Sequence, residues 1–379
     1  MSRFSIANAR IVTRDAVVDG TLAIEGSDIT RLDEGQASPA DALDFEGDFL
    51  LPGFVELHTD NLEKHLQPRP GVMWPSSMAA VLSHDVQVVG AGITTVFDAV
   101  SVGEYSAASA RRKMIASTVE TLSDTSVRAV MRAEHFLHLR CELADPAVLD
   151  IYQPLAGNEY VRLVSLMDHT PGQRQWHDLD KWRQFNRDKK WTDDEFNAMV
   201  SERRESQARH AAFHRRSVVA LAQHHGTVLA SHDDTTREHV EEAAEIGIAI
   251  SEFPTTLGAA GHAHKRGMKV VMGAPNVVRN GSHSGNVSAQ ELARHGFLDA
   301  LSSDYVPASL MQAIFHLNAH DQIALPEAVA MVSATPAAMV GLDDRGSIGP
   351  GKRADFSRVR LVNDTPVVLG VWRAGQRVS

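Results

Sequence analysis

Short apolar segments rich in β-branched residues alternate with longer segments of helical periodicity through the middle of the chain. The apolar segments are residues 54–58, 94–99, 136–141, 161–167, 227–231, 248–253, 269–273 and 300–303. Apolar strands separated by helices are typical of parallel βα units. Eight such units match a closed (β/α)₈ TIM barrel, although counting alone leaves a doubly wound sheet as the alternative.

The two ends of the chain show short strand-like segments separated by turn residues. These segments are residues 4–6, 9–12, 16–18, 21–25, 29–32, 355–362 and 366–373. Because chain termini often lie close together, we predict that both ends pair into one small β-sandwich. The predicted domains are therefore a sandwich of residues 1–50 and 340–379 and a barrel of residues 51–339.

One connection between the apolar segments is unusually long. It forms an insertion at about residues 171–225, and much of it is charged. Thr192 and Glu195 have the spacing of a capping box, which predicts the start of a long helix. Long insertions on the active face of a barrel often form lids, but the simpler interpretation is a solvated helix.

Composition and charge narrow the class of protein. The 379 residues suit a barrel of about 250 residues with a smaller unit. The single cysteine, Cys141, excludes an internal disulfide, and no signal peptide or membrane span is evident, so we expect a cytoplasmic protein. The formal charge of −11 argues against a nucleic-acid partner. A homo-oligomer is compatible with the sequence.

Metal-ligating residue types follow several apolar segments. His58 and Asp60 are two apart in a strand, so both side chains project from the same face of its tip. An imidazole and a carboxylate suit a divalent ion, and barrels build active sites at this end. Buried charges are costly unless they are paired or bound to metal. We therefore predict one or two divalent ions, with Zn first and Mn or Fe as alternatives. The candidate ligands are His58, Asp60, Glu142, Asp168, His169 and His232.

A metal-assisted hydrolase also needs a group that accepts a proton from the attacking water. Asp304, at the end of the eighth segment, is the candidate for this role and could also contact the metal. The sequence leaves open whether Asp60 binds the ion or orients the water.

Basic and hydroxyl side chains lie just beyond the same strand ends. Such groups, together with exposed backbone N–H groups, could surround phosphate oxygens, although ordinary loop chemistry gives a similar composition. The candidate substrate-binding residues are Lys64, Arg69, Arg140, Arg174, Arg279, Ser282 and His283.

Motifs spread over nearly the whole chain resemble the amidohydrolase superfamily and, within it, the diphosphatases of bacterial phosphonate breakdown. They are residues 56–62, 68–70, 133–135, 137–143, 165–169, 171–175, 230–234, 252–256, 272–276, 281–286, 302–305 and the tail 346–355. The resemblance implies an amidohydrolase-type barrel in the carbon–phosphorus lyase pathway. It also implies hydrolysis of α-D-ribose 1-methylphosphonate 5-triphosphate, by attack on the α-phosphorus, to the 5-phosphate and pyrophosphate.

The chain departs from the commonest site of that superfamily. Asp60 stands where a second histidine is usual, Asp168 and His169 replace a lysine, and Glu252 lies near the place of another histidine. Glu142 resembles the glutamate ligand of some deacetylases. These departures leave the number of ions and the bridging group open. Hydrolysis of a carbon–nitrogen bond and a catalytically inactive scaffold are the two alternative functions.

Overall fold

The computed structural model describes residues 3–35, 39–103, 110–282 and 284–379. The strands within these ranges are β1 (Arg3–Val12), β2 (Val17–Glu25), β3 (Asp28–Glu34), β4 (Leu43–Asp44), β5 (Phe49–Pro52), β6 (Phe54–Thr59), β7 (Ile93–Val102), β8 (Glu134–Glu142), β9 (Val161–Met167), β10 (Val228–His232), β11 (Ile250–Glu252), β12 (Lys269–Gly273), β13 (Ala300–Ser302), β14 (Phe356–Val362), β15 (Thr365–Arg373) and β16 (Gln376–Arg377). The helices are α1 (Asn61–Leu66), α2 (Ser77–Gly90), α3 (Ala110–Ser123), α4 (Thr125–Arg128), α5 (Val148–Tyr152), α6 (Leu179–Phe185), α7 (Asp193–His225), α8 (Arg237–Glu245), α9 (Leu257–Lys265), α10 (Ala274–Val278), α11 (Ala289–Arg294), α12 (Ser309–His320), α13 (Leu325–Ala330) and α14 (Ala334–Met339). Two short 3₁₀ helices cover Arg174–Trp176 and Arg187–Lys189.

Strands β6 to β13 form the predicted barrel. They pair in sequence order as one parallel sheet of 8 strands, and each overlaps one predicted apolar segment. A parallel bridge between Thr59 and Asp304 joins the first strand to the end of the last. The backbone N–H of Asp304 donates to the His58 carbonyl at 3.0 Å across this seam. The barrel interpretation is therefore confirmed over the doubly wound sheet.

An apolar layer fills the part of the barrel nearest the amino ends of the strands. Every strand contributes to this layer, with two residues from β6 and one from each of the others: Val55, Leu57, Phe97, Phe136, Leu163, Ala230, Ile250, Val271 and Ala300. Val340 and Leu342, which follow α14, pack against the same layer. Because strand side chains repeat on one face every second residue, the next inward positions stand above this layer, toward the carboxyl ends.

The two ends of the chain pair as predicted. Their strands form one continuous sheet in the order β16, β15, β14, β5, β1, β2, β3, with β4 also paired to β1. Strand β5 makes the connection, because it pairs with β1 on one side and with β14 on the other. Buried Ile11, Ile24, Phe45, Phe356 and Trp372 belong to the core that this sheet encloses. In the part of the chain that the structure describes, no helix is long and apolar enough to cross a membrane.

The insertion contains the long helix that the capping box predicted. The side chain of Thr192 accepts from the Glu195 N–H at 3.3 Å, and Glu195 accepts from the Thr192 N–H at 2.8 Å. Helix α7 then runs over 33 residues. It ends at Gly226, whose φ of 66° favours glycine.

Candidate metal centre and active site

A cavity of about 840 Å³ opens at the carboxyl ends of the barrel strands. Most of the residues predicted for the site line this cavity, and they come from six different strands or the loops after them. They are His58, Asp60, Arg140, Glu142, His169, His232, Arg279, Ser282 and Asp304. His283 lies outside the described residues.

The polar lining follows from the alternation of side chains along each strand. On β8, Phe136 lies in the apolar layer, and His138, Arg140 and Glu142 follow on the same inward face. The intervening Leu137, Leu139 and Cys141 join the outer core beneath the helices. The same two-residue step leads from Ala230 to His232 and from Ile250 to Glu252. A polar layer therefore stands directly on the apolar one.

Glu252 holds two cavity histidines in one orientation. Nδ1 of His58 donates to one carboxylate oxygen at 3.1 Å, and Nδ1 of His232 donates to the other at 3.2 Å. The Ser165 hydroxyl also donates to Glu252. Burial raises the pKa of Glu252, but the nearby imidazoles outweigh burial and hold that pKa well below its ordinary range. Both histidines consequently keep Nε2 as an acceptor, as metal ligands require.

His138 completes a buried group with His58 and Glu252. Its Nδ1 donates to the Leu57 carbonyl at 2.9 Å. Burial lowers the pKa of His138 to about 3, so its imidazole is neutral. The sequence interpretation missed His138 and Glu252 as parts of the site, although alternation along β8 and β11 was a usable signal.

His169, His232 and Asp233 form the best-placed set of metal ligands among the described residues. Oδ2 of Asp233 lies 3.6 Å from Nε2 of His169 and 3.7 Å from Nε2 of His232. These separations are too long for hydrogen bonds. They are close to the roughly 3.4 Å between ligands that bind one tetrahedral ion at about 2.1 Å. Oδ2 of Asp233 is also buried without a hydrogen-bond partner in the described structure. The residues present therefore fit a divalent ion.

Glu142 supports this set through His169. One Glu142 oxygen accepts from Nδ1 of His169 at 2.7 Å, and the other accepts from its backbone N–H at 3.1 Å. Burial opposes the charged imidazole, but the carboxylates of Glu142 and Asp233 raise the pKa of His169 to about 9. Glu142, which the sequence predicts as a ligand, thus orients the His169 ring, and Asp233 is a candidate ligand that the predicted set does not include.

Asp304 lies at the seam of the barrel, facing the same cavity. Burial of its carboxyl group and the charge of Asp60 raise the pKa of Asp304 to about 7. The Asp60 N–H donates to the Asp304 carbonyl at 3.1 Å, so the two acidic residues share one stretch of backbone contact. A carboxyl group with a raised pKa beside metal ligands is suited to proton transfer.

The backbone is strained at three of these strand ends. Asp233, Phe253 and Asp304 have φ values of 57°, 53° and 52°, in the left-handed region that ordinary residues avoid. All three line the cavity. Such strain persists where the surrounding structure holds it in place, and it often accompanies active sites.

Other predicted residues have supporting contacts outside the cavity wall. The Asp168 carboxylate accepts from the Gln207 side chain at 3.0 Å and from the Thr170 N–H at 3.1 Å. Each oxygen of Asp168 thus accepts one hydrogen bond, from α7 or from its own loop, and its role as a metal ligand stays a prediction. Arg174 donates to the His232 carbonyl at 2.8 Å and to Asp234 at 2.6 Å, so its guanidinium braces a strand end instead of facing substrate.

The two predicted basic residues of the first loop also lie away from the cavity wall. Lys64 is exposed and donates to the Tyr305 carbonyl, and Arg69 is exposed near the turn at Val72. Neither is among the residues that line the cavity, but the charge of Lys64 acts to lower the pKa of Asp304, so their contact with substrate stays a prediction.

The insertion supplies one wall of the cavity. Trp176, Trp182, Lys189 and Arg203 come from it and line the same space as Glu142. The lid interpretation therefore describes its position better than a solvated helix. Sequence patterns gave no signal for which of its residues face inward.

A second buried network lies beside the site. Asp98 accepts from Nε2 of His84 and from Nδ1 of His135, both at 2.7 Å, and His135 also donates to Asp85 at 3.3 Å. Asn61 connects this network to the end of β6 by donating to Nδ1 of His84 at 3.1 Å. Separations of 2.7 Å indicate hydrogen bonds, and they are too short for ligands that share one ion.

The sequence of the chain is similar to that of known amidohydrolases. A family model described as amidohydrolase family matches residues 192–378. The chain is 45% identical over 377 residues to the α-D-ribose 1-methylphosphonate 5-triphosphate diphosphatase of Escherichia coli (strain K12), covering 98% of this chain and 99% of that one.

Solved structures share the fold at low identity. The 5-methylcytosine deaminase from Klebsiella pneumoniae has a TM-score of 0.66 at 15% identity, covering 99% of this chain and 97% of the other. The N-acetylglucosamine-6-phosphate deacetylase from Pasteurella multocida has a TM-score of 0.60 at 14% identity, covering 99% of both chains. At these identities the likeness establishes the barrel and its flanking sheet alone.

Proposed function

The chain belongs to the α-D-ribose 1-methylphosphonate 5-triphosphate diphosphatase family of amidohydrolases, and we propose that it catalyses the reaction for which that family is named. It is a hydrolase of acid anhydrides. The products would be α-D-ribose 1-methylphosphonate 5-phosphate and pyrophosphate, formed during phosphonate breakdown. The observation that carries the proposal is the identity of 45% over nearly the whole of both chains.

The cavity chemistry supports a highly anionic substrate. Arg140, Lys189, Arg203 and Arg279 supply positive charge to a cavity that also holds the acidic centre. Guanidinium groups bind phosphate oxygens through paired N–H donors. Although the chain has a formal charge of −11, four of its basic side chains lie in the cavity that would hold the triphosphate and the phosphonate.

We propose that His169, His232 and Asp233 hold a divalent ion, with Zn as the first choice and Mn or Fe as alternatives. When bound, such an ion would polarise a phosphoryl oxygen and make a water molecule more acidic. His58 and Asp60 line the same cavity and would be available to a second ion.

The chain's own residues divide the remaining tasks. Asp304 would accept the proton of the attacking water, since its raised pKa suits a group that takes and returns protons near neutrality. Arg140 would bind the α-phosphate, because it projects from β8 directly beneath Glu142. The phosphonate end would lie near Arg279 and Ser282, whose loop offers both a guanidinium and a hydroxyl group.

The point of attack can be tested by isotope labelling. Metal-replete protein is given the ribose phosphonate triphosphate in ¹⁸O-water, and the products are resolved by phosphorus NMR. We expect one ¹⁸O atom in the ribose 5-phosphate and none in pyrophosphate. Label in pyrophosphate, or release of single phosphate, would refute attack on the α-phosphorus. A panel of amide and N-acyl substrates under the same conditions tests the carbon–nitrogen alternative.

We further propose that the protein acts in the cytoplasm on this small molecule without a nucleic-acid partner. The negative charge of the chain supports the absence of a nucleic-acid partner, and its single cysteine is compatible with the cytoplasm.

A further inference from the structure

The insertion begins with a buried arginine in a strained backbone conformation. Arg174 opens the short 3₁₀ helix Arg174–Trp176, and its side chain is 8% exposed. Its φ of 43° lies in the left-handed region that residues with a side chain avoid. Such strain persists where the surrounding contacts hold it in place. Two of these contacts are made by the guanidinium group, and both lie at the carboxyl end of β10.

One nitrogen of this group joins the insertion to the end of β10. Nη1 of Arg174 donates to the His232 carbonyl at 2.8 Å and to Oδ1 of Asp234 at 2.6 Å. The side chain of Asp234 is fully buried, so this ion pair lies inside the protein. Loss of hydration offsets most of the attraction within a buried ion pair, and stability alone therefore does not account for it. A role in fixing the end of β10 explains the pair better.

Asp234 is itself fixed on its other side. Its Oδ2 accepts from the hydroxyl groups of Ser231 and Ser251, the latter at 3.0 Å. Its backbone carbonyl accepts from the Thr255 N–H at 2.9 Å. These partners belong to β10, to β11 and to the loop after β11. Asp234 is thus a firmly held anchor for the Arg174 guanidinium.

The peptide bond between His232 and Asp233 is held from both sides. Its carbonyl oxygen accepts from Arg174, and its N–H donates to the Glu252 carbonyl at 2.9 Å. Because a peptide unit is planar, hydrogen bonds on its two edges fix its rotation. Asp233 follows with its φ of 57°, and its Oδ2 lies 3.6 Å from Nε2 of His169. The orientation of this peptide therefore decides where the Asp233 carboxylate lies relative to the imidazoles.

We propose that Arg174 is a positioning residue that sets the affinity of the ion site by holding this peptide bond. The inference rests on the ion site of the proposed function, which consists of His169, His232 and Asp233. Arg174 supplies no ligand and acts through the backbone before Asp233. Without the guanidinium, the turn relaxes toward negative φ, because ordinary residues favour that region. The Asp233 carboxylate then leaves the place that suits one ion, and the affinity falls.

The position of Arg174 also gives the insertion a part in ion binding. His169 and Asp233 follow β9 and β10, whereas Arg174 belongs to the insertion. Gln175 and Trp176 come directly after Arg174, and both line the cavity. One short segment of the insertion therefore holds the turn that carries a ligand and also forms part of the cavity wall.

The test uses variants that separate positioning from stability. Arg174→Met alone would leave the buried Asp234 carboxylate unpaired, which destabilises a fold by itself. The main variant therefore combines Arg174→Met with Asp234→Asn, and Arg174→Lys is the conservative variant. Arg345→Met is the matched control. Arg345 is 7% exposed and pairs with Glu134, the first residue of β8, at the opposite end of the barrel.

Ion binding is measured without the triphosphate. Metal-free proteins are titrated with Co²⁺ and with Zn²⁺ in competition with a chelator, and the visible absorption of bound Co²⁺ reports the geometry of its ligands. The double variant should bind both ions about 10-fold to 100-fold more weakly, as for other groups that orient metal ligands. Arg174→Lys should fall between, with a Co²⁺ spectrum that differs from that of wild type. Arg345→Met should keep the wild-type affinity and spectrum, although its unfolding temperature falls.

Other outcomes overturn the inference. Wild-type affinity in the double variant would exclude the positioning role, and if that variant does not fold, an unchanged affinity and spectrum in Arg174→Lys would exclude it. Equal losses of affinity in Arg345→Met and the Arg174 variants would show that general destabilisation weakens the site. Wild-type protein that binds neither ion would refute the ion site and this inference with it. If wild-type protein binds the ion but does not hydrolyse the triphosphate, the proposed activity fails, and the affinities still decide the role of Arg174.

Discussion

Nδ1 of His58 donates to Oε1 of Glu252 at 3.1 Å, deep in the barrel. The second oxygen of Glu252 does the same for His232. One carboxylate from β11 therefore sets the ring orientation and the tautomer of two histidines that come from β6 and β10. We expect the site to need the Glu252 carboxylate, although Glu252 lies behind the imidazole rings of His58 and His232, which face the cavity.

Replacing Glu252 by glutamine should weaken metal binding. An amide has one acceptor oxygen and one donor group, so it cannot accept from both Nδ1 atoms. We expect metal affinity to fall about 10-fold to 100-fold, as for other groups that orient metal-ligating histidines. Competition with a chelator, followed by metal analysis, measures this affinity. Glu238→Gln, an exposed change on α8, is the control, and equal affinities in the two variants would contradict the orienting role.

Asp304→Asn should separate catalysis from metal binding. The amide keeps the shape of the side chain but cannot accept the proton of the attacking water. We expect activity to fall about 10²-fold or more with the metal content unchanged. Kinetics and mass-spectrometric metal analysis on one preparation provide both readings, with exposed Asp343→Asn as control. Full activity in Asp304→Asn would exclude the base role.

Asp233→Asn should remove the response of the protein to metal. Oδ2 of Asp233 is buried and lacks a hydrogen-bond partner in the described structure, so it is available to bind an ion. The metal-free variant is the reference for its own metal response, because the charge of Asp233 also acts on His169. Wild-type protein should gain about 2–3 kcal/mol of stability at a metal concentration near 100 times Kd. The variant should lose most of that gain.

Thermal unfolding with metal and with EDTA measures this difference. Asp168→Asn is the matched control, because Asp168 bonds to Gln207 and should leave the metal response intact. Loss of the metal-induced stabilisation in Asp168→Asn would instead identify Asp168 as a ligand, as the sequence predicts.

His135 should make stability depend on pH. Burial opposes its charge, but Asp98 and Asp85 raise the pKa of His135 from the ordinary 6.5 to about 9. The charged imidazole therefore stabilises the fold fully below about pH 6.5, and this contribution disappears as pH rises through about 9. The contribution is on the order of 3 kcal/mol.

The measurement is the free energy of unfolding of wild type and His135→Gln from pH 6 to 10. The difference between them should shrink as pH rises, and exposed His320→Gln should run parallel to wild type. A constant difference between wild type and His135→Gln would show that His135 is neutral in the folded protein.

The sequence by itself determined the strands and the set of chemical groups. Alternation between apolar strands and helices located all eight barrel strands, and the spacing of Thr192 and Glu195 located the start of α7. The tip of β6 carries His58 and Asp60 into the cavity as their two-residue spacing predicts. These features succeed because side-chain direction within one element follows from its own backbone period.

Only the tertiary structure decided which of the adjacent acids and imidazoles meet. Asp168 and His169 are neighbours in the chain, yet one contacts Gln207 and the other faces the ion site. Asp233 enters that site through a left-handed backbone turn at the end of β10. Arg203 lines the cavity from a helix whose position is set by contacts with two distant loops. Whether side chains from separate elements meet depends on the closure of the barrel and on the docking of the insertion. The repeat of side-chain direction within one strand or helix predicts neither of these.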